Sequence, residues 1–182
     1  PPARALKDWR AALPFWCSLL LLPVAYIAAT WGGWWVAALP LSGWTMVSIL
    51  DLAGGLDEEN PDPATPERDL FWYRLITLIW FPLQVIAVFA CLYHATHGGL
   101  TGTAEKIGLF FGLGVISGAV GIVYAHELLH QKNRLERRLG DLLLAMVLYS
   151  HFRSEHLLVH HRYVATPRDP VSARYNEGFH RY

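Results

Sequence analysis

Four long apolar stretches determine what this chain can fold into. They run over 11–30, 34–52, 70–93 and 107–124. A helix of about twenty apolar residues is long enough to cross the hydrocarbon core of a bilayer. Hydrophobic residues make up 53% of the chain and charged residues only 16%, a balance that a soluble domain rarely shows. We therefore predict an all-α, polytopic membrane protein with about four transmembrane helices.

The four stretches form one unit rather than several. We interpret residues 1–182 as a single integral-membrane domain, and we expect it to be a fragment, since the sequence opens on Pro1 and stops at Tyr182 within a polar stretch. Formal net charge is zero, so no overall basic field favours nucleic acid. Cys17 and Cys91 both fall within apolar stretches, and two cysteines are too few for a disulfide framework.

The segments between the apolar stretches carry recognisable signals. Residues 30–33 read Thr-Trp-Gly-Gly and predict a tight turn, flanked by tryptophans that suit the membrane interface. Residues 51–69 are rich in proline and carboxylates and predict a solvated connector. We expect a second, short loop at 94–99. The apolar run 139–149 is too short to cross, so we expect a helix beneath the spans or in the interface.

Glycines are concentrated in the fourth apolar stretch. Gly108 and Gly112 form one pair spaced four residues apart, and Gly114 and Gly118 form another. Small residues at this spacing allow helices to approach closely within lipid. Both pairs therefore predict helix–helix contacts.

Orientation follows from the positions of lysine and arginine. With four crossings, one side of the membrane receives every lysine and arginine except Lys106. The positive-inside rule makes that side cytoplasmic. The same side receives the polar residues that follow His126.

Five histidines in this polar region have the spacing of metal ligands. His126 and His130 are four residues apart in an HELLH sequence, and EHLLVHH supplies His156, His160 and His161. Residues four apart lie on one face of an α-helix, so both imidazoles can reach one ion. On an α-helix His156 and His160 would share a face. Five imidazoles exceed what one tetrahedral ion uses, which favours two metals.

Other readings of these residues remain open. HELLH alone matches HExxH, in which two histidines bind zinc and the glutamate acts as general base, so an intramembrane zinc protease is one alternative. A non-catalytic metal-binding membrane protein is another. His94, His97 and His180 suit interfacial or hydrogen-bonded positions. His151 lies off the face that His156 and His160 would share and suits a supporting role.

The two histidine boxes and their surroundings resemble a known family. HELLHQKNRLERRLGD and EHLLVHHRYVATPRDPVSARYNEGF resemble the integral-membrane alkane 1-monooxygenases of bacteria. These belong to the histidine-box di-iron family, which includes xylene monooxygenase and membrane fatty-acid desaturases. The run VATPRDP is the most specific element, and the acidic segment 57–61 is also similar. Leu129, Gln131 and Val159 depart from the family's usual residues without removing a histidine.

The resemblance implies a site and a reaction. Five of nine expected iron-ligating imidazoles would be His126, His130, His156, His160 and His161, with a third box further along the family's sequence. Glu127, Glu155 and Asp169, together with His151, would orient the imidazoles. The expected reaction is terminal hydroxylation of medium-chain n-alkanes with O2 at two iron ions. A related desaturase or alkylbenzene hydroxylase is the nearest alternative.

The resemblance also implies partners and a location. Electrons would come from rubredoxin and its NADH-dependent reductase, and the enzyme would lie in the inner membrane of a bacterium with its boxes on the cytoplasmic side. A basic surface could steer an acidic electron donor toward the site, or it could contact lipid headgroups and set the topology. Its four arginines are Arg134, Arg137, Arg138 and Arg153.

Overall fold

The structure, a computed structural model, describes residues 9–55, 65–98, 100, 102–178 and 180–181. The acidic segment 57–61, the basic residues Arg4 and Lys7, and Tyr182 lie outside the described residues. The described residues form helices and turns without a β-strand, which confirms the prediction of an all-α protein.

Six helical elements follow one another in the part of the chain that the structure describes. Their bounds are α1 Trp9–Trp31, α2 Trp34–Gly54, α3 Glu67–His97, α4 Thr103–Leu129, α5 Arg134–Met146 and α6 152–163. Helices α1, α3 and α4 are each long and apolar enough to cross a membrane. Helix α2 qualifies as a bent span, with Trp34–Met46 and Ser48–Gly54 meeting at 40°. The protein is therefore a polytopic membrane protein, with three or four spans among the described residues.

The predicted turn between the first two spans is present and is fixed to a third. Gly32 and Gly33 adopt φ values of 62° and 57°, a left-handed conformation that glycine adopts without a steric penalty. The Gly33 N–H donates to Glu105 Oε1 at 2.7 Å, and the Gly102 N–H donates to Glu105 Oε2 at 3.3 Å. The start of α4 is thus bound to the α1–α2 turn.

One of the two glycine pairs forms the predicted close contact. A Cβ atom on Gly108 would lie 2.6 Å from Val36 Cγ1, and one on Gly112 would lie 2.8 Å from the Leu39 side chain. These two glycines let α4 pack directly on α2. For Gly114 and Gly118 the prediction is wrong among the described residues, because a Cβ there would meet no atom within 4 Å.

The predicted loop at 94–99 is wrong over its first four residues. Helix α3 continues to His97, and the Gly98 N–H donates to the His94 carbonyl at 2.8 Å. Residues 94–97 include neither proline nor glycine, so nothing in the backbone ends the helix before Gly98. The Thr96 hydroxyl also donates to the Leu92 carbonyl at 2.9 Å.

Helix α5 packs beneath the end of α4. Its start is capped by Asn133, whose side-chain oxygen accepts the Leu135 N–H at 2.8 Å. Leu143 and Leu144 are buried. A Cβ on Gly140 would lie 2.9 Å from the Ala125 carbonyl, so the missing side chain brings α5 directly against the residue before His126. The short helix predicted near 139–149 is present in this position.

Two ion pairs connect α5 with its neighbours. Arg74 near the start of α3 pairs with the buried Glu136 of α5 and with Glu67 at 3.0 Å. Arg153 of α6 pairs with Asp141 of α5 at 2.6 Å. A buried carboxylate without a cation is strongly unfavourable. Arg74 and Glu136 therefore fix where α5 lies relative to the spans, and Arg153 joins the second histidine box to it.

Candidate metal site

The first histidine box occupies the end of α4. His126 lies in its last turn and His130 directly follows the final helical residue, Leu129. Their Nε2 atoms are 3.2 Å apart. An α-helix brings residues four apart onto one face, so this half of the site has the spacing predicted from HELLH.

The second histidine box is wound as a π-helix over Glu155–His160. The His161 N–H reaches the carbonyl of His156, five residues earlier. Residues five apart therefore share a face, and the Nε2 atoms of His161 and His156 are 3.0 Å apart. The α-helical spacing assumed from sequence paired His156 with His160 instead. The wider π-turn substitutes His161 for His160 on that face.

Three imidazoles converge where the two boxes meet, and a fourth adjoins one of them. His156 Nε2 is 2.8 Å from His126 Nε2 and 3.2 Å from His130 Nε2. The ligand atoms of His126, His130 and His156 all lie within 4.8 Å of one another, and His161 joins them through His156. The three nitrogens of His126, His130 and His156 approach one another, which is the arrangement expected around a shared cation, and His161 Nε2 adjoins that of His156.

The spacing of these nitrogens fits a metal ion. Metal–imidazole bonds of about 2.0–2.1 Å in a tetrahedron place the nitrogens about 3.4 Å apart. The observed separations of 2.8–3.2 Å are a few tenths of an ångström shorter. A small outward movement of the rings would accommodate an ion. Imidazole ligation without thiolate suits iron, zinc or copper.

His160 faces a separate partner. Its Nδ1 lies 2.7 Å from Asp169 Oδ2, and its ring stacks parallel to that of His156 with centroids 5.4 Å apart. Donation from Nδ1 to a carboxylate fixes the tautomer and leaves Nε2 as the nitrogen able to bind a metal. His160 therefore has the orientation of a ligand but does not join the other four nitrogens.

Asp169, in the VATPRDP segment, is held in place by hydrogen bonds from the residues that follow it. Ser172 donates its hydroxyl to Asp169 Oδ2 at 2.6 Å, and its oxygen accepts the Ala165 N–H at 2.9 Å. The Val171 N–H donates to Asp169 Oδ1 at 3.2 Å. Burial alone would raise the pKa of Asp169, but the hydrogen bonds from Ser172, His160 and Val171 lower it below its ordinary value. Asp169 is thus an anionic acceptor.

The other predicted supporting residues lie further from the boxes. Glu127 is exposed, and its Oε1 is 3.8 Å from Nδ1 of His126. Glu155 Oε2 is 3.8 Å from His151 Nε2, and the His151 ring contacts Tyr149 with centroids 4.8 Å apart. Separations of 3.8 Å exceed a hydrogen bond. Asp169 is the carboxylate that directly contacts a box histidine among the described residues.

Phe152 is a site residue that the sequence reasoning missed. Its ring stacks on His156 with centroids 4.9 Å apart and an interplanar angle of 13°, and it lies 6.3 Å from His126. The available signal was its position four residues before His156. Tyr149 in turn packs on Phe152 at 5.2 Å. These rings cover one side of the imidazole cluster with apolar surface.

The remaining histidines lie apart from the cluster. At the C-terminal end of α3, His97 stacks on Tyr93 with centroids 5.0 Å apart. His94 meets the edge of Tyr26 at 5.7 Å. Aromatic contacts of this kind suit the interfacial positions predicted for both.

The basic surface divides into engaged and exposed arginines. Arg137 donates to the carbonyls of Gln131 at 2.9 Å and Lys132 at 2.8 Å, and Arg153 pairs with Asp141. Arg134 and Arg138 are exposed.

Burial and mutual repulsion keep two of the clustered histidines neutral. The pKa of His156 is lowered to about 4 by burial first, and then by the charge that His126, His161, His130 and His160 would carry. Burial, followed by His126 and His161, also lowers the pKa of His130, while Glu127 opposes this shift. Metal ions bind neutral imidazole. Both histidines are thus in their ligating form at neutral pH.

Four converging imidazoles at one end of a helical membrane bundle define an integral-membrane histidine-box protein. The comparisons agree, since the family model described as fatty acid desaturase matches residues 106–182. The chain is 32% identical to alkane 1-monooxygenase 1 of Pseudomonas aeruginosa over 177 residues, covering 92% of this chain and 46% of the relative.

Two further relatives carry the same name. The alkane 1-monooxygenase of Acinetobacter baylyi is 36% identical over 75% of this chain and 34% of its own length. Alkane 1-monooxygenase 2 of Alcanivorax borkumensis is 28% identical over 93% of this chain and 46% of its own length. The chain belongs to the alkane hydroxylases of the histidine-box family. It spans less than half the length of these three curated relatives.

Acidification should destabilise the metal-free protein. Between pH 6.5 and about 4, unfolded His156 binds a proton that the folded residue resists, because its folded pKa is depressed. The unfolded state then binds more protons, so the free energy of unfolding falls as pH falls through this window. Thermal unfolding of the apoprotein at a series of pH values measures this. His156→Asn should flatten the dependence, and an unchanged profile in that variant would contradict the assignment.

Proposed function

We propose that this protein is part of an O2-dependent enzyme that converts medium-chain n-alkanes to 1-alkanols at a membrane-embedded non-haem di-iron site. The observation that carries the proposal is the convergence of His126, His130, His156 and His161 at one end of an apolar helical bundle. The curated relatives named alkane 1-monooxygenase support the choice of reaction.

In this proposal the two irons use different histidines. His126, His130, His156 and His161 hold one ion, and His160, oriented by Asp169, offers its Nε2 to the second. The further ligands of the second ion would come from outside residues 1–182. The bound iron pair would supply the reduction of O2 and the oxidation of the terminal C–H bond.

The protein's own contribution is to bind and orient an apolar chain. An n-alkane has no polar group, so its position must be set by apolar surface. The substrate dissolves in lipid and would reach the site between the spans. Phe152 closes one side of the imidazole cluster and excludes water there, which protects the reaction from side reactions.

The reaction needs an external electron donor. One oxygen atom enters the alcohol and the other leaves as water, so each turnover consumes the alkane, O2, two electrons and two protons. We propose that reduced rubredoxin, recharged by its reductase, supplies the electrons. Exposed Arg134 and Arg138 provide a basic surface for such a donor, close to the first box. The proposed location is the inner membrane of a bacterium, with this surface in the cytoplasm.

Two other chemistries can be distinguished from this one. The match to the desaturase family model favours a desaturase as the second candidate, which would release an alkene rather than an alcohol. A zinc protease would need Glu127 beside the metal-binding Nε2 atoms, whereas its carboxylate lies near Nδ1 of His126. That position argues against a role as general base.

Metal content and product together test the proposal. The full-length protein, reconstituted in lipid with rubredoxin, reductase and NADH, should contain about two irons per chain and convert octane to 1-octanol with matching O2 consumption. Glu127→Ala should retain much of this activity. One zinc without iron, or peptide cleavage abolished by Glu127→Ala, would support the protease. Octene as product would support the desaturase.

Charge reversal tests the donor surface. Arg134→Glu combined with Arg138→Glu should raise the KM for rubredoxin by about tenfold and weaken its salt dependence, because rim charges act mainly on encounter. The kcat at saturating donor should change little. Lys106→Glu, at the opposite end of α4, is the matched control and should leave the KM unchanged. Equal effects of the two variants would contradict docking at this surface.

A further inference from the structure

A second π-turn lies in α4 just before the first histidine box. Residues Ser117–Gly121 are π-helical, and the Ile122 N–H reaches the Ser117 carbonyl instead of the Gly118 carbonyl. A π-turn accommodates one residue more than an α-helical turn of the same span. The direction in which His126 and His130 point therefore depends on this extra residue.

The part of α4 before the π-turn is fixed by packing. Gly108 lies against Val36 and Gly112 against Leu39, both on α2. If the same residues formed an uninterrupted α-helix, everything after the turn would rotate by about 100° relative to this fixed part. His126 and His130 would then turn away from His156. Keeping the π-turn is thus a condition for assembling the four-imidazole cluster.

Gln84 of α3 lies against this π-turn. A Cβ on Gly121 would overlap Gln84 Oε1 and would lie 3.2 Å from its Cδ and Nε2, so the carboxamide packs directly on the main chain there. Gln84 is 2% exposed. A polar side chain at this depth in a membrane bundle is costly, which makes a functional role the default expectation.

The oxygen of the Gln84 carboxamide accepts a hydrogen bond, whereas its nitrogen has no partner among the described residues. Trp80 donates its indole N–H to Gln84 Oε1 at 2.7 Å. Nε2 of Gln84 is the buried side-chain nitrogen without a hydrogen-bond partner among the described residues. Trp80 also packs edge-on against Tyr124 with centroids 5.6 Å apart. Trp80 and Gln84 together contact α4 at the last residue of the π-turn and again two residues before His126.

We propose that Gln84 is a positioning residue that maintains the π-turn of α4 and thereby directs His126 and His130 toward the second box. Its carboxamide fills the space beside Gly121, and Gly121 is required because a side chain would displace the carboxamide. This inference rests on one part of the proposed function, namely that the histidine cluster binds a metal.

Variants of the turn test the proposal through metal affinity. In the full-length protein in lipid nanodiscs, Gln84→Leu and Gly121→Ala should each weaken Co²⁺ binding by about tenfold or more, the size expected when a supporting partner of a ligand is lost. Gly114→Ala is the matched control, since a methyl group there meets no atom. It should bind Co²⁺ like the parent protein.

A one-residue deletion distinguishes an effect on the π-turn from an effect on general packing. Removing Ala119, which is exposed, converts the π-turn to an α-helical turn while leaving both flanks in place. Adding this deletion to Gln84→Leu should restore Co²⁺ affinity, because the register no longer needs Gln84. Loss of affinity without rescue would show that Gln84 acts through general packing and would overturn the proposal, as would unchanged affinity in Gln84→Leu.

A metal-free readout separates this proposal from the proposed function. Spin labels at the exposed positions 123 and 158, in a background with Cys17→Ser and Cys91→Ala, report the facing of α4 relative to α6. Gln84→Leu should shift the label distance and the Ala119 deletion should reverse the shift. This result is independent of whether iron binds. If the parent protein binds no metal but the distances behave as stated, the proposed function fails and the positioning role stands.

Discussion

The approach of three imidazole nitrogens, those of His126, His130 and His161, to within 2.8–3.2 Å of His156 Nε2 is the constraint on which the rest of the structure depends. Protonation of one ring raises the cost of protonating the next, and the nitrogens cannot all donate to one another. A cation at the centre relieves both effects. Much of the remaining architecture serves to keep the rings at this separation although they come from two different helices.

The two boxes are held together by a small set of connections. Glycine at position 140 brings α5 against the end of α4. The Arg153–Asp141 ion pair then joins α6 to α5, and the pair of Arg74 with Glu136 joins α5 to α3. Each of these contacts is specific in direction, so α5 acts as a rigid spacer between the boxes. Apolar burial alone, being non-directional, would not fix ring positions to within an ångström.

Much of the fold could be predicted from the sequence because lipid imposes simple rules. The lengths of the apolar stretches predicted the spans, and the pair Gly32–Gly33 predicted the turn between the first two. The pair Gly108–Gly112 predicted a contact that is present, whereas Gly114–Gly118 has identical spacing but faces outward. Which side of a helix meets its neighbour depends on helix rotation, and the spacing of two small residues carries no information on that.

The sequence predicted which histidines form the candidate site but not how they are arranged. Histidine spacing identified the five imidazoles, yet it assumed α-helical periodicity in both boxes. The π-turns at 117–121 and 155–160 depart from that periodicity and leave no signal in a single sequence. The second turn is what exchanges His160 for His161. Asp169 was found through the motif that contains it, whereas Phe152 appears in no motif and was missed.

The most direct test compares the metal affinities of two variants, each lacking one of the adjacent histidines of the second box, His160 and His161. Co²⁺ titration of the full-length protein should show that His161→Ala weakens binding of the first ion by about tenfold or more, as expected for loss of a ligand. His160→Ala should leave binding of that first ion close to the parent value. The reverse order, with His160 essential for the first ion and His161 dispensable, would restore α-helical pairing in the second box and contradict the four-imidazole site.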